Sequence, residues 1–140
     1  MQKDKIKYYQ ADNSLREKLT QKIARLLEQE EKVLFAYLHG SFVDNDIFRD
    51  VDVGVFLKEM PPLDRLNYEL QLEELLSREL KYPADVRSLN QAPPSFCYSV
   101  IKKGYLILEK DEPARVEFEM MTLRKYFDFL PFRRRYLQEV

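Results

Sequence analysis

The sequence predicts an α/β fold: one small mixed sheet flanked by helices. Three observations carry that expectation. Short runs rich in β-branched and aromatic residues recur along the chain, as in VLFAYL at 33–38 and YLILE at 105–109. Val51, Val53 and Val55 alternate with Asp50, Asp52 and Gly54, the period of two expected of a strand. Between these runs lie longer stretches with leucines at helical spacing. A length of 140 residues suits one domain spanning 1–140 and is too short for two ordinary ones.

The elements follow in order. The first dozen residues read as a frayed lead-in. Ser14-Leu15-Arg16-Glu17 has the form of a capping box, in which the serine hydroxyl takes a backbone N–H and the glutamate reaches back. Leu15, Leu19, Ile23, Leu26 and Leu27 then predict a helix to about Gln29. Val33 to Leu38 is a buried strand ended by Gly40-Ser41, and a polar stretch from Asp44 to Arg49 leads into the Val51–Val55 strand. Pro61-Pro62 opens a helix over Leu63 to Leu80 with a wide leucine stripe (Leu63, Leu66, Leu70, Leu76 and Leu80, broadened by Leu72 and Leu75). Tyr82-Pro83 breaks it. Ala84 to Leu89 is a third strand, Ser95 to Lys102 a short helix, and Tyr105 to Glu109 a fourth strand. Asp111-Glu112-Pro113 starts a last helix, with an acidic cap and a first-turn proline, that runs to Leu130 and is stopped or kinked by Pro131.

Composition narrows the function. Charged residues make up 34% and the formal net charge is -1, so no global basic field invites nucleic acid. A lone cysteine, Cys97, excludes an internal disulfide and a cysteine-built zinc site. No apolar run approaches the roughly 20 residues that span a bilayer, and the charged start has no signal-peptide core. A cytoplasmic protein with no membrane partner is the expectation.

The chemistry concentrates in Gly40-Ser41, eight residues, then Asp50-Val51-Asp52. Residues two apart on a strand share a face, so Asp50 and Asp52 set two carboxylates side by side. Unit charges about 4 Å apart repel by about 4 kcal/mol at an effective dielectric of about 20. A divalent cation removes that repulsion, and Mg²⁺ prefers carboxylate and phosphate oxygens. A strand ending in Gly-Ser lets backbone N–H groups and a hydroxyl approach an anion. Each feature alone is weak; together, between apolar strands, they point to metal-assisted phosphoryl chemistry.

The segment LFAYLHGSFVDNDIFRDVDVGVFL resembles the active-site signature of the polymerase-β-like nucleotidyltransferases. The resemblance implies that fold. It implies that Gly40 and Ser41 bind the triphosphate and that Asp50 and Asp52 bind metal. Asp85, within PADVRSLNQAPP, matches the third strand carboxylate by context. With YLILEKDEPARVEFEM and RKYFDFLPFRRRYL, the likeness extends over most of the chain from about residue 33 to the minimal nucleotidyltransferases (MNT). Several of those are antitoxins paired with an all-helical HEPN ribonuclease toxin, and they move AMP from ATP to a toxin tyrosine. The resemblance therefore implies two Mg²⁺ ions, ATP as substrate and a HEPN toxin as partner. Two departures stand out: the interval between Ser41 and Asp50 is somewhat shorter than the common form, and Ser88 stands where relatives often carry a second aspartate.

Other residues carry blander expectations. His39, the sole histidine, suits a structural place at a strand end better than a general base. Arg49 suits a phosphate contact or a salt bridge equally. Phe132-Arg133-Arg134-Arg135-Tyr136 reads as a solvated helix end before an RNA contact. The last helix is more apolar than one core face needs, through Val116, Phe118, Met120, Met121, Leu123, Tyr126, Phe127, Phe129 and Leu130. Either a homo- or hetero-oligomer interface or a helix lying across the sheet would explain it.

Overall fold

The structure is a computed structural model that describes residues 6–138, with side chains described through residue 130. The elements are β1 (Tyr9–Gln10), α1 (Asn13–Glu28), β2 (Val33–His39), α2 (Ser41–Asp44), β3 (Ile47–Phe48), β4 (Val51–Leu57), α3 (Pro62–Leu80), β5 (Ala84–Ser88), α4 (Pro94–Lys103), β6 (Tyr105–Glu109) and α5 (Glu112–Gln138). The main sheet has the order β5-β4-β2-β6. The β4–β5 pair is parallel, joined through α3, and the other two pairs are antiparallel. The expected mixed sheet is thus present, and its one parallel pair brings the start of β4 beside the start of β5.

Alternation along the strands divides the core into two layers. On one face Val51, Val53, Val55 and Leu57 of β4 meet Ile23 and Leu27 of α1 and Leu72, Leu76 and Leu80 of α3, all essentially buried. On the other, Phe35 and Tyr37 of β2 meet Leu89, Cys97, Val100 and Phe118. Tyr37 donates to Glu119 Oε2 at 2.5 Å, and Arg115 bridges Glu119 and Glu109, so α5 is tied across β2 and β6.

The strand at the sheet's end is held by side chains of the neighbouring helix. Ser77 Oγ accepts from the Ala84 N–H at 2.9 Å, Glu73 Oε1 from Val86 at 2.9 Å, and Glu69 Oε1 from Ser88 at 2.6 Å. One residue per turn of α3 satisfies every second N–H of β5, groups that would otherwise lack partners in a half-buried setting. This fixes the strand that carries Asp85.

Four expectations change. Residues 9 and 10 are not frayed; they pair with β3, and Tyr9 packs on Phe48 and Tyr82. The α1 cap is Asp12, whose carboxylate accepts from the Leu15 N–H at 2.7 Å, so Ser14 falls inside the first turn. The leucine stripe of α3 splits: Leu72, Leu76 and Leu80 are buried, whereas Leu63, Leu66 and Leu70 are 68%, 50% and 55% exposed. The two sets lie on different faces of the helix, and in its N-terminal half Arg65, Tyr68 and Glu69 take the half-buried positions. Finally, α5 does not end before Pro131 but continues to Gln138. The basic cluster at 132–136 has side chains outside those described.

Leu76→Ala is expected to cost about 2–5 kcal/mol in chemical denaturation, the range for a deleted core leucine. Leu66→Ala should stay within about 0.5 kcal/mol, as exposed sites do. Equal costs would refute the split.

Candidate active site

The parallel register sets Asp52 directly opposite Asp85. Asp50 lies just before β4 instead of on it, yet its carboxylate joins the other two. One oxygen from each of Asp50, Asp52 and Asp85 can lie within 4.8 Å of the others, and all three residues are half-buried. The sequence-predicted carboxylates therefore meet in one cluster. Crowding leaves an electrostatic mark: burial, then Asp50, then Asp85 push the Asp52 carboxyl up to about 7, against a weaker opposing pull from Arg87. Three oxygen donors gathered in one half-buried cluster suit a hard divalent cation, which supplies the missing charge.

Gly40 sits against this cluster. Its φ of 81° lies where glycine is favoured, and a Cβ at this position would fall inside the Asp52 carboxylate. No other residue fits without displacing Asp52. Ser41 begins the short α2 turn that follows. That turn is clamped from α1: Arg16 Nε donates to the Phe42 carbonyl at 3.0 Å and Arg16 NH2 to the Asn45 carbonyl at 2.5 Å. Sequence reading passed over Arg16, which looked like part of a capping box.

His39 pairs with Asp52 across β2 and β4. Its ring lies edge-on to Phe96, 5.5 Å between centroids, and its buried Nε2 has no hydrogen-bond partner among the described residues. Burial lowers its pKa, with Asp85 opposing and Arg87 reinforcing, so the ring is neutral at pH 7. The structural role expected of it fits this setting.

Arg87 lies two residues after Asp85 on the same strand face. Its Nε is 3.8 Å from Asp85 Oδ2, and its guanidinium lies over Phe96, 5.5 Å from the ring centroid. It is exposed and held beside the cluster by an aromatic face. Arg49 stands on the other flank, in a cavity with Ser41 and Asp50. Among the described residues it makes no ion pair, so the salt-bridge expectation for Arg49 finds no partner there.

The chain belongs to the polymerase beta nucleotidyltransferase family, whose model matches residues 21–113 and so takes in Gly40, Ser41 and all three aspartates. Its structural neighbours are MNT antitoxins in complex with HEPN toxins. One is the tri-AMPylated Shewanella oneidensis HEPN toxin in complex with MNT antitoxin: 21% identity, 89% of this chain and 97% of that one, TM-score 0.68. Another is a mutant MntA toxin–antitoxin complex: 20% identity, 86% and 96% coverage, TM-score 0.70. A third is a toxin–antitoxin structure with AMP-PNP: 21% identity, 88% and 96% coverage, TM-score 0.66. No curated protein sequence matches the chain.

The raised Asp52 pKa has a stability consequence whose sign is definite. The folded state holds this proton up to about pH 7, whereas the unfolded chain loses it near the ordinary carboxylate value of 3.8. Folding therefore binds a proton between those values, and metal-free stability from this group falls as pH rises through them. In metal-free buffer, Asp52→Asn should raise the melting temperature at pH 8 relative to wild type and lose that advantage at pH 4. An equal difference at both pH values would contradict the assignment.

Proposed function

We propose that the chain is a single minimal nucleotidyltransferase domain that transfers AMP from ATP to a hydroxyl, a tyrosine of a partner HEPN toxin, and thereby acts as an antitoxin. The carrying observation is the convergence of Asp50, Asp52 and Asp85 next to Gly40-Ser41. The neighbours bound to HEPN toxins, one tri-AMPylated and one with AMP-PNP, support the choice of acceptor and nucleotide.

Asp50, Asp52 and Asp85 would hold two Mg²⁺ ions, which when bound neutralise phosphate charge and make the acceptor hydroxyl easier to deprotonate. The residues of the chain do the positioning. Gly40, by lacking a side chain, leaves the Asp52 carboxylate its place beside the turn. The Ser41 hydroxyl donates to one oxygen of the β- and γ-phosphate group, and the backbone of the turn meets the rest. Arg16 holds the turn in shape from behind. Asp85, fixed by the α3 contacts to β5, receives the acceptor proton. Arg87 stands on the Asp85 flank, where an acceptor opposite the leaving pyrophosphate would enter. Catalysis of this kind is mostly alignment and charge.

A second reading is favoured by one feature. On α5, Val116, Met120, Leu123 and Phe127 share one face and are all at least a third exposed. An apolar face of that kind would let the chain neutralise a toxin by binding alone.

Purified chain incubated with its toxin partner, Mg²⁺ and ATP should add AMP-sized mass to the toxin by intact-mass spectrometry. Asp50→Asn with Asp52→Asn should reduce the rate at least about 10²-fold, the scale of losing key electrostatic groups. Undiminished transfer in that variant would refute the site. A variant that transfers nothing yet still protects cells would favour the binding antitoxin.

A further inference from the structure

On the Asp50 side of the carboxylates lies an open cavity of about 390 Å³, lined by Tyr8, Ser41, Asn45, Ile47, Arg49 and Asp50 among others. Its volume falls within the usual range of small-molecule sites. The sequence builds its walls through the β1–β3 pair, which places Tyr9 opposite Phe48 and Gln10 opposite Ile47. Tyr9 and Phe48 turn inward and pack on each other, 5.5 Å between centroids. Successive residues of extended chain face opposite ways, so their neighbours Tyr8 and Ile47 turn outward. Tyr8 is left 64% exposed and Ile47 53%.

Two large, exposed apolar surfaces thus stand at the rim of a polar cleft. Within the cleft are a guanidinium without an ion pair among the described residues, a hydroxyl, a carboxamide and a carboxylate of the cluster. Those groups match the parts of one ligand class. An aromatic face stacks on a base, a guanidinium and a hydroxyl meet phosphates, and a carboxylate reaches the phosphate-bound cation. We infer that this cavity is the nucleoside triphosphate pocket, with Arg49 on the phosphates and Tyr8 and Ile47 flanking the base. The N-terminal segment is then a wall of the nucleotide site, held there by β1. This rests on the nucleotidyltransferase reading above and adds binding residues to it.

The test is calorimetric titration of the full chain in Mg²⁺ with a non-hydrolysable ATP analogue and, separately, with inorganic tripolyphosphate, which has no base. Tyr8→Ala should weaken the analogue about tenfold, the loss expected when a base–aromatic stack is removed, and leave tripolyphosphate unchanged. Tyr8→Phe should bind the analogue as wild type does, because the ring is kept. Arg49→Ala should weaken both ligands. Wild-type analogue affinity in Tyr8→Ala, or wild-type tripolyphosphate affinity in Arg49→Ala, would overturn the inference and leave the nucleotidyltransferase reading standing. Wild-type chain that binds neither ligand would overturn both.

Discussion

Mutual repulsion among three carboxylates is the constraint on which the rest of the site depends. Asp50, Asp52 and Asp85 are brought together at the start of two parallel strands, and Asp52 is pushed up to about 7 by burial first and then by the other two. A fold gains nothing in stability from such crowding. It persists because the surroundings leave the strands no alternative. Val51, Val53 and Val55 anchor β4 from the opposite face, and the side chains of Glu69, Glu73 and Ser77 hold β5 in register against it.

The same layering sorts the neighbouring groups. One face of β4 carries the valine core, and the other carries Asp52, then Gly54, then Phe56. Cations flank the cluster on both sides, with Arg87 over Phe96 beside Asp85 and Arg49 in the cleft beside Asp50. His39 stays neutral between them. The result is a negative centre bordered by exposed positive groups, an arrangement that suits the metal-bound polyphosphate proposed above.

Much of this was legible in the sequence, for physical reasons. The alternation at 51–55 declared the strand and its faces, and helical spacing declared α1, because periodic burial is written directly into residue order. Gly40 was legible as a residue needing unusual geometry, though only the structure shows that Asp52 occupies the space of its missing side chain. Features that depend on pairing across the chain were not legible. Tyr9 and Gln10 form too short a run to announce a strand, and their partners Ile47 and Phe48 sat in a stretch that read as polar loop. The exposed leucines of α3 misled because the stripe was wider than one face, and the fold buries only the part that carries Leu72, Leu76 and Leu80. Arg87 carried no local pattern, and Arg16 read only as part of a capping box; their roles arise from what the fold places beside them.

The most direct measurement is an anomalous-difference map from a crystal grown with Mn²⁺ and a non-hydrolysable ATP analogue. The account predicts metal density bridging the carboxylates of Asp50, Asp52 and Asp85, with the phosphates of the analogue against Gly40 and Ser41. Metal bound elsewhere, or phosphates seated away from that turn with the three carboxylates bare, would contradict it.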